Sequence, residues 1–338
     1  MSSEKKNRIG VLGAGTWGMA LARMLSNDGN YVQVWSALEK EVEEFSETRR
    51  HPNLPGMVIP DEIDFTKSIE EVCRDKDMLL FAVPSVFVRQ TAKAAAPFIP
   101  EGQIIADVAK GIEPVTFKTM SEIIADELGP NMQIVALSGP THAEEVSRDL
   151  PTTIVSACAD VSVAEKVQNI VMNPVMRVYT NTDVKGVEIC GALKNIIALA
   201  SGICSGLGYG DNAKAALITR GLAEMRRLGT PMGCLDDTFA GLAGMGDLIV
   251  TAMSVHSRNN RCGNYIGQGM SVEDAVEKVG MVVEGINALP AAMALAEKYG
   301  IEMPITAAVD AVINHGADPE TEVMRLMGRE KKTELYSV

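Results

Sequence analysis

The stretch Arg8–Ala22, R-I-G-V-L-G-A-G-T-W-G-M-A-L-A, reads as a buried strand, a glycine-rich turn and the opening of a helix. Gly13, Gly15 and Gly18 form G-x-G-x-x-G, a pattern that means little alone. It gains meaning when it follows an apolar strand and starts a helix. Gly13 suits the tight turn, Gly15 lets a pyrophosphate approach the backbone, and Gly18 lets helix pack on strand. The free N–H groups at the helix N-terminus would face the phosphates. The competing reading is a plain glycine turn.

The first half of the chain continues in the same style. Arg8–Leu12, Tyr31–Trp35, Met78–Val83, Gln103–Val108 and Gln133–Leu137 read as buried strands. Helical stretches at Trp17–Asn27, Val86–Ala96, Thr116–Glu127 and Thr141–Ser147 alternate with them. That alternation predicts an α/β fold with a doubly wound, mostly parallel sheet. Thr152–Ser156 and Val175–Tyr179 read as further strands around a helix, Val161–Met172. Beyond about Thr182 only helical periodicities remain: Val184–Ser201, Asn212–Leu228, Asp236–Met253, Ser271–Val279, Gly285–Tyr299, Ile305–His315 and Thr321–Met327. The expected division is a dinucleotide-binding unit over 1–182 and an all-α substrate unit over 183–338.

An acid that binds a ribose 2′-hydroxyl is expected at the end of the second strand. That strand closes Trp35-Ser36-Ala37-Leu38, the nearest acids are Glu39 and Glu41, and no arginine stands there for a 2′-phosphate. The residues leave NAD and NADP both open.

The net charge of −13 excludes general binding to nucleic acid or anionic membrane, which needs a positive field. Six cysteines are scattered without C-x-x-C spacing or metal-like pairing with the four histidines, so free thiols in a reducing cytoplasm are expected and no metal site. The opening residues carry no apolar signal region. Lys194 and Asn195 divide the longest apolar run, so no membrane span is expected. The polar end, 328–338, reads as a solvated tail.

Lys194 lies in G-V-E-I-C-G-A-L-K-N-I-I-A-L-A-S-G-I-C-S-G, Gly186–Gly206, where only Glu188 and the thiols are otherwise ionisable. A lysine buried there would lose hydration and its pKa would fall, which suits proton exchange near neutral pH. Lys110 follows the strand I-I-A-D-V-A, at the sheet edge where ligands bind. In L-S-G-P-T-H-A, Gly139 and Thr141 occupy another strand-to-helix turn, and His142 reads as a turn or packing residue more than as a base. Asp247 and Thr251, four apart in G-L-A-G-M-G-D-L-I-V-T, share one helix face. Ser257, Arg258 and Asn259 combine neutral donors with a guanidinium suited to phosphate; a solvated surface turn is the other reading.

Eight segments in order resemble the NAD(P)-dependent glycerol-3-phosphate dehydrogenases of the bacterial type: G-A-G-T-W-G, A-K-G-I-E, S-G-P-T-H-A, G-A-L-K-N-I-I-A, N-A-K-A-A-L-I-T-R-G, G-L-A-G-M-G-D-L, S-R-N-N-R-C-G and V-V-E-G. They span Gly13 to Gly285. The resemblance implies a Rossmann-type domain followed by a helical substrate domain, a homodimer, and interconversion of dihydroxyacetone phosphate and sn-glycerol 3-phosphate with NAD or NADP, feeding glycerophospholipid synthesis. It implies that Lys194 is the proton donor and acceptor with Asn195 beside it. Asp247 and Thr251 would bind the hydroxyl end and orient the lysine. Lys110 would touch substrate and cofactor, Gly139 and Thr141 the substrate, and Ser257, Arg258 and Asn259 its phosphate. Thr16, Trp17, Ser36, Ala143, Arg258, Val282 and Glu284 fall at family cofactor positions. Ser36 stands where His or Arg is frequent, and His142 where Phe is common. Two other readings are a helical-domain dehydrogenase of the β-hydroxyacid or phosphogluconate type, and a non-catalytic dinucleotide sensor.

Overall fold

A computed structural model describes residues 6–331, 333 and 334. Residues 328–331, 333 and 334 are exposed, and the rest of the expected tail lies outside the described residues. Eight strands form one sheet: β1 (Arg8–Leu12), β2 (Tyr31–Trp35), β3 (Asp64–Thr66), β4 (Met78–Phe81), β5 (Ile104–Asp107), β6 (Gln133–Ser138), β7 (Thr152–Ala157) and β8 (Met176–Asn181). Their order is β3-β2-β1-β4-β5-β6-β7-β8. Every pair is parallel except β6–β7, which Ala136↔Ala157 and Ser138↔Val155 register as antiparallel. The order reverses between β1 and β4, so their carboxyl ends open the crevice where an open α/β sheet takes its ligand.

The sheet is clothed by α1 (Thr16–Asn27), α2 (Glu39–Thr48), α3 (Ile69–Cys73), α4 (Val88–Ala95), α5 (Met120–Leu128), α6 (Ala143–Val146) and α7 (Val161–Val171). Strand β8 ends at Asn181, and Asp183 caps the next helix by accepting the Gly186 N–H. From there the described chain is helical: α8 (Val184–Gly206), α9 (Asp211–Gly229), α10 (Asp236–Ala240), α11 (Asp247–Met253), α12 (Arg258–Gly267), α13 (Val272–Val279), α14 (Glu284–Tyr299), α15 (Pro304–His315) and α16 (Pro319–Met327).

Helix α8 is the axis of the helical half. By length and composition it could cross a membrane, contrary to the reading that Lys194 and Asn195 interrupt it. Its apolar stretch is wholly buried, so it is a core helix around which the others pack. Leu193, Ile196, Ile197 and Leu199 supply that core together with Met225, Leu248 and Leu289.

One expectation for this half fails, and one open alternative is decided. The continuous helix expected over Asp236–Met253 is broken. Gly241 is extended, and a wide π-type turn over Leu242–Gly246 closes with the Gly246 N–H on the Gly241 carbonyl at 3.1 Å. Three glycines make that turn cheap, and it sets the face on which α11 presents Asp247 and Thr251. The segment read as a possible surface turn, 257–261, instead starts α12, with the Ser257 hydroxyl accepting the Asn260 N–H as a cap. Its polar sequence hides the helix because backbone packing stabilises it. A Cβ on Gly263 would lie 2.1 Å from the Leu199 carbonyl, and one on Gly202 would lie 2.0 Å from that of Asn260. Only paired glycines let α8 and α12 cross this closely.

Candidate active site

The glycine-rich turn adopts the shape its residues require. Gly13 has φ +122° and donates its N–H to the Trp35 carbonyl at 2.9 Å. A Cβ on Gly18 would sit 2.3 Å from the Gly13 carbonyl, so this glycine serves helix-on-strand packing. At Gly15 a Cβ would meet nothing within 4 Å: the backbone there is open to an approaching group. Helix α1 begins at once with no side-chain cap, leaving its first N–H groups to a ligand. These features fit a dinucleotide pyrophosphate. His51, which the sequence did not single out, braces the turn. Its Nδ1 accepts the Asn53 N–H at 3.1 Å, so Nε2 carries the hydrogen and donates to the Ala14 carbonyl at 3.3 Å.

The turn faces a cleft of about 610 Å³ between the sheet edge and the helical half. From the first half Gly15, Thr16, Trp17, Lys110, Thr141 and Ala143 line it. From the second half come Lys194, Asn195, Thr251, Ser257, Arg258 and Asn259, with Val282 and Glu284 at the start of α14. A roomier hollow of about 920 Å³ beside α14, α15 and α16 has mostly apolar walls, with Glu297, Arg325 and the pair Arg329–Glu302 as its charged lining among the described residues and none of the candidate residues.

Five candidate residues do not line the cleft. Gly13 and Gly18 shape the turn from behind. Gly139 supplies a carbonyl that accepts from Lys110 Nζ at 3.3 Å and from the Thr141 hydroxyl at 3.1 Å. Ser36 is buried, with its hydroxyl on Glu41 at 2.6 Å. Asp247 is fully buried behind the lysines, a position for holding cations rather than for contacting a ligand in the cleft.

Asp247 joins the two halves. Its Oδ1 accepts from Lys194 Nζ at 2.5 Å and its Oδ2 from Lys110 Nζ at 2.7 Å. Burial pushes its carboxyl pKa up, but the two ammonium groups outweigh that and hold it below the usual carboxylate range. For Lys194 the balance is opposite. Burial dominates, Asp247 offsets part of it, Lys110 adds repulsion, and the ammonium pKa falls to about 7. Lys194 also donates to the Thr251 hydroxyl at 2.6 Å. When protonated it has three N–H groups, two of them engaged, and the third is free for an oxygen in the cleft.

The asparagines form a frame. Asn195 Nδ2 donates to the Gly191 carbonyl at 3.1 Å, and its Oδ1 accepts from Asn259 Nδ2 at 2.9 Å. Asn259 Oδ1 then accepts the Gly285 N–H at 2.8 Å, tying α8, α12 and α14 together. Arg258 has no hydrogen-bond or ion-pair partner among the described residues, although Glu284 and Glu144 influence it. A half-buried guanidinium without a carboxylate is prepared for an anion from outside. The Glu284 carboxylate reaches across the cleft and accepts from the Ser85 N–H at 3.1 Å and the Ser85 hydroxyl at 2.6 Å. His142 also lines the cleft, with its Nε2 3.4 Å from the Val250 carbonyl, and burial followed by the Lys194 charge lowers its pKa.

A glycine-rich turn open to a pyrophosphate thus shares one cleft with a buried lysine and an unpartnered arginine. The family models for the N-terminus and the C-terminus of NAD-dependent glycerol-3-phosphate dehydrogenase match residues 8–164 and 183–324. The chain belongs to the NAD-dependent glycerol-3-phosphate dehydrogenase family. A glycerol-3-phosphate dehydrogenase (NAD(P)+) of Lactobacillus delbrueckii subsp. bulgaricus is 69% identical over 97% of this chain and 99% of its own length. One from Agathobacter rectalis is 50% identical over 98% and 99%. The crystal structure of the Coxiella burnetii glycerol-3-phosphate dehydrogenase superposes with a TM-score of 0.92 at 36% identity, covering 96% of this chain and 99% of that one. A ketopantoate reductase from Ralstonia eutropha, 15% identical with a TM-score of 0.63, shares the fold alone. Within the dehydrogenase family the parallel-dominated sheet and the helical half are thus the expected architecture.

Proposed function

We propose that this glycerol-3-phosphate dehydrogenase uses Lys194 as its proton donor and acceptor and Arg258 as its phosphate anchor in the reversible reduction of dihydroxyacetone phosphate to sn-glycerol 3-phosphate. The observation that carries the reading is a cleft in which Lys194 and Lys110, bridged from behind by the buried Asp247, stand with an unpartnered Arg258. Bound NADH or NADPH supplies the hydride that C2 of the substrate receives. The chain's own residues do the rest. Arg258, with Ser257 and Asn259 at the start of α12, binds the phosphate and fixes the substrate far from the reacting carbon. Lys110 and Thr141 bound the other side. Protonated Lys194 gives its free hydrogen to the oxygen on C2 as negative charge grows there, acting as acid and as electrostatic stabiliser. In the oxidative direction neutral Lys194 takes the hydroxyl proton. Asp247 and Thr251 keep the amine aimed throughout.

We take residues 1–182 as the dinucleotide unit and 183–338 as the substrate unit. The physiological setting we infer is a homodimer in the cytoplasm, making glycerol 3-phosphate for glycerophospholipids; six unpaired thiols suit a reducing compartment. Incubating the protein with dihydroxyacetone phosphate and each reduced dinucleotide, and following nicotinamide absorbance while identifying the product, tests the reaction. Turnover of a 3-hydroxy acid but not of dihydroxyacetone phosphate would refute it. Sedimentation tests the dimer.

A further inference from the structure

One end of the cleft carries a single sign of charge. Glu41 and Glu44 of α2 line it, together with Leu38, Phe45 and His51. Ser36 directly follows β2, where an acid would ordinarily meet the adenosine ribose. The Ser36 hydroxyl accepts the Leu38 N–H at 3.1 Å, so its one hydrogen is directed to Glu41 Oε2 at 2.6 Å. Glu41 is thereby carried to the place that its sequence position, five residues later, would not suggest. Its Oε1 has no hydrogen-bond partner among the described residues.

Of the cations that line the cleft, Lys110 and Lys194 are committed to Asp247 and Arg258 lies in the neighbourhood of Glu284 and Glu144, so among the described residues none of them pairs with Glu41 or Glu44. Lys40 is exposed and does not line the cleft. Lys67 is held by Glu39 and Glu43, and Arg49 donates to the carbonyls of Pro60 and Ile63. His51 is neutral in its hydrogen bonds, as its accepting Nδ1 requires, and burial lowers its pKa.

We infer that Glu41, presented by Ser36, is the residue that makes this enzyme prefer NADH to NADPH. The inference rests on reading the cleft as the dinucleotide site. A ribose diol offers hydroxyl hydrogens to a fixed carboxylate, whereas a 2′-phosphate offers none and adds charge of the same sign. The site accepts the first and repels the second, which is how a buried polar group discriminates between close analogues.

Calorimetric titration of the full chain with NADH and NADPH separately, without substrate, tests this. Wild type should bind NADH at least about tenfold more tightly than NADPH. Glu41→Gln, isosteric and folded as judged by circular dichroism, should narrow the ratio to within about threefold, chiefly by tighter NADPH binding. Ser36→Ala should narrow it partway, and Glu41→Lys should invert it. Equal or tighter NADPH binding by wild type, or an unchanged ratio in Glu41→Gln and Glu41→Lys, overturns the assignment. Dihydroxyacetone phosphate reduction by the same preparations separates the two levels: if that activity persists without discrimination, only the role of Glu41 is lost. Binding of neither dinucleotide removes the reading of the cleft and this inference with it.

Discussion

Asp247 lies 2.5 Å from Lys194 through one carboxylate oxygen while its other oxygen is engaged 2.7 Å away by Lys110. One fully buried anion therefore fixes two cations that arrive from opposite halves of the chain. Asp247→Asn removes the charge but keeps the shape. Breaking a buried pair in this way costs about 3–5 kcal/mol of stability, because the remaining charges stay buried. Urea unfolding should register that loss. The Lys194 pKa should fall further, because Asp247 is what opposes the effect of burial on it.

The direction of pH dependence follows from the Lys194 pKa near 7. Reduction needs the ammonium, so its rate should decline as pH rises through about 7. Oxidation needs the neutral amine, so its rate should climb over the same interval. Rate profiles measured in both directions at saturating dinucleotide check this. Profiles of the same slope in both directions would exclude one residue serving both roles.

Arg258 should matter for phosphate and little for chemistry. Charge-assisted hydrogen bonds contribute about 1.5–3 kcal/mol each, so Arg258→Ala should lower kcat/KM by roughly 10- to 100-fold, mainly through KM. Unphosphorylated dihydroxyacetone, a poor substrate for both proteins, should be nearly indifferent to the change.

The α8–α12 crossing sets the distance between the phosphate anchor and the lysine. Gly263→Ala would drive a methyl into the Leu199 carbonyl, where the available distance is 2.1 Å. A loss of about 1–3 kcal/mol in urea unfolding is expected. Gly210→Ala is the control: a Cβ there meets nothing within 4 Å, and its φ of −82° suits any residue.

Legibility in the sequence followed local pattern. The strand-turn-helix of Arg8–Asn27 was readable because apolar run, glycines and helix start lie in one short stretch. The six other strands expected from the sequence fall within two residues of the observed β2 and β4–β8. Helix α2 was missed because only Val42 and Phe45 of its ten residues are buried, and β3 because three residues carry little periodicity. Helix α12 was hidden for the opposite reason, since its stability lies in tertiary contact with α8. Lys194 was conspicuous as a charge in an apolar run, whereas its partners could not be derived from spacing: Lys110 lies 137 residues from Asp247. His51 and the Ser36–Glu41 contact gave no motif at all, since one depends on how the loop after α2 returns to the glycine turn and the other on how the start of α2 packs against the end of β2.

The turnover of Lys194→Ala with dihydroxyacetone phosphate bears most directly on the proton-transfer role. Dinucleotide affinity, measured by titration, should survive, while kcat for reduction falls by at least about two orders of magnitude. Turnover close to wild type in a variant that still binds the dinucleotide would contradict the assignment of Lys194 as the proton donor.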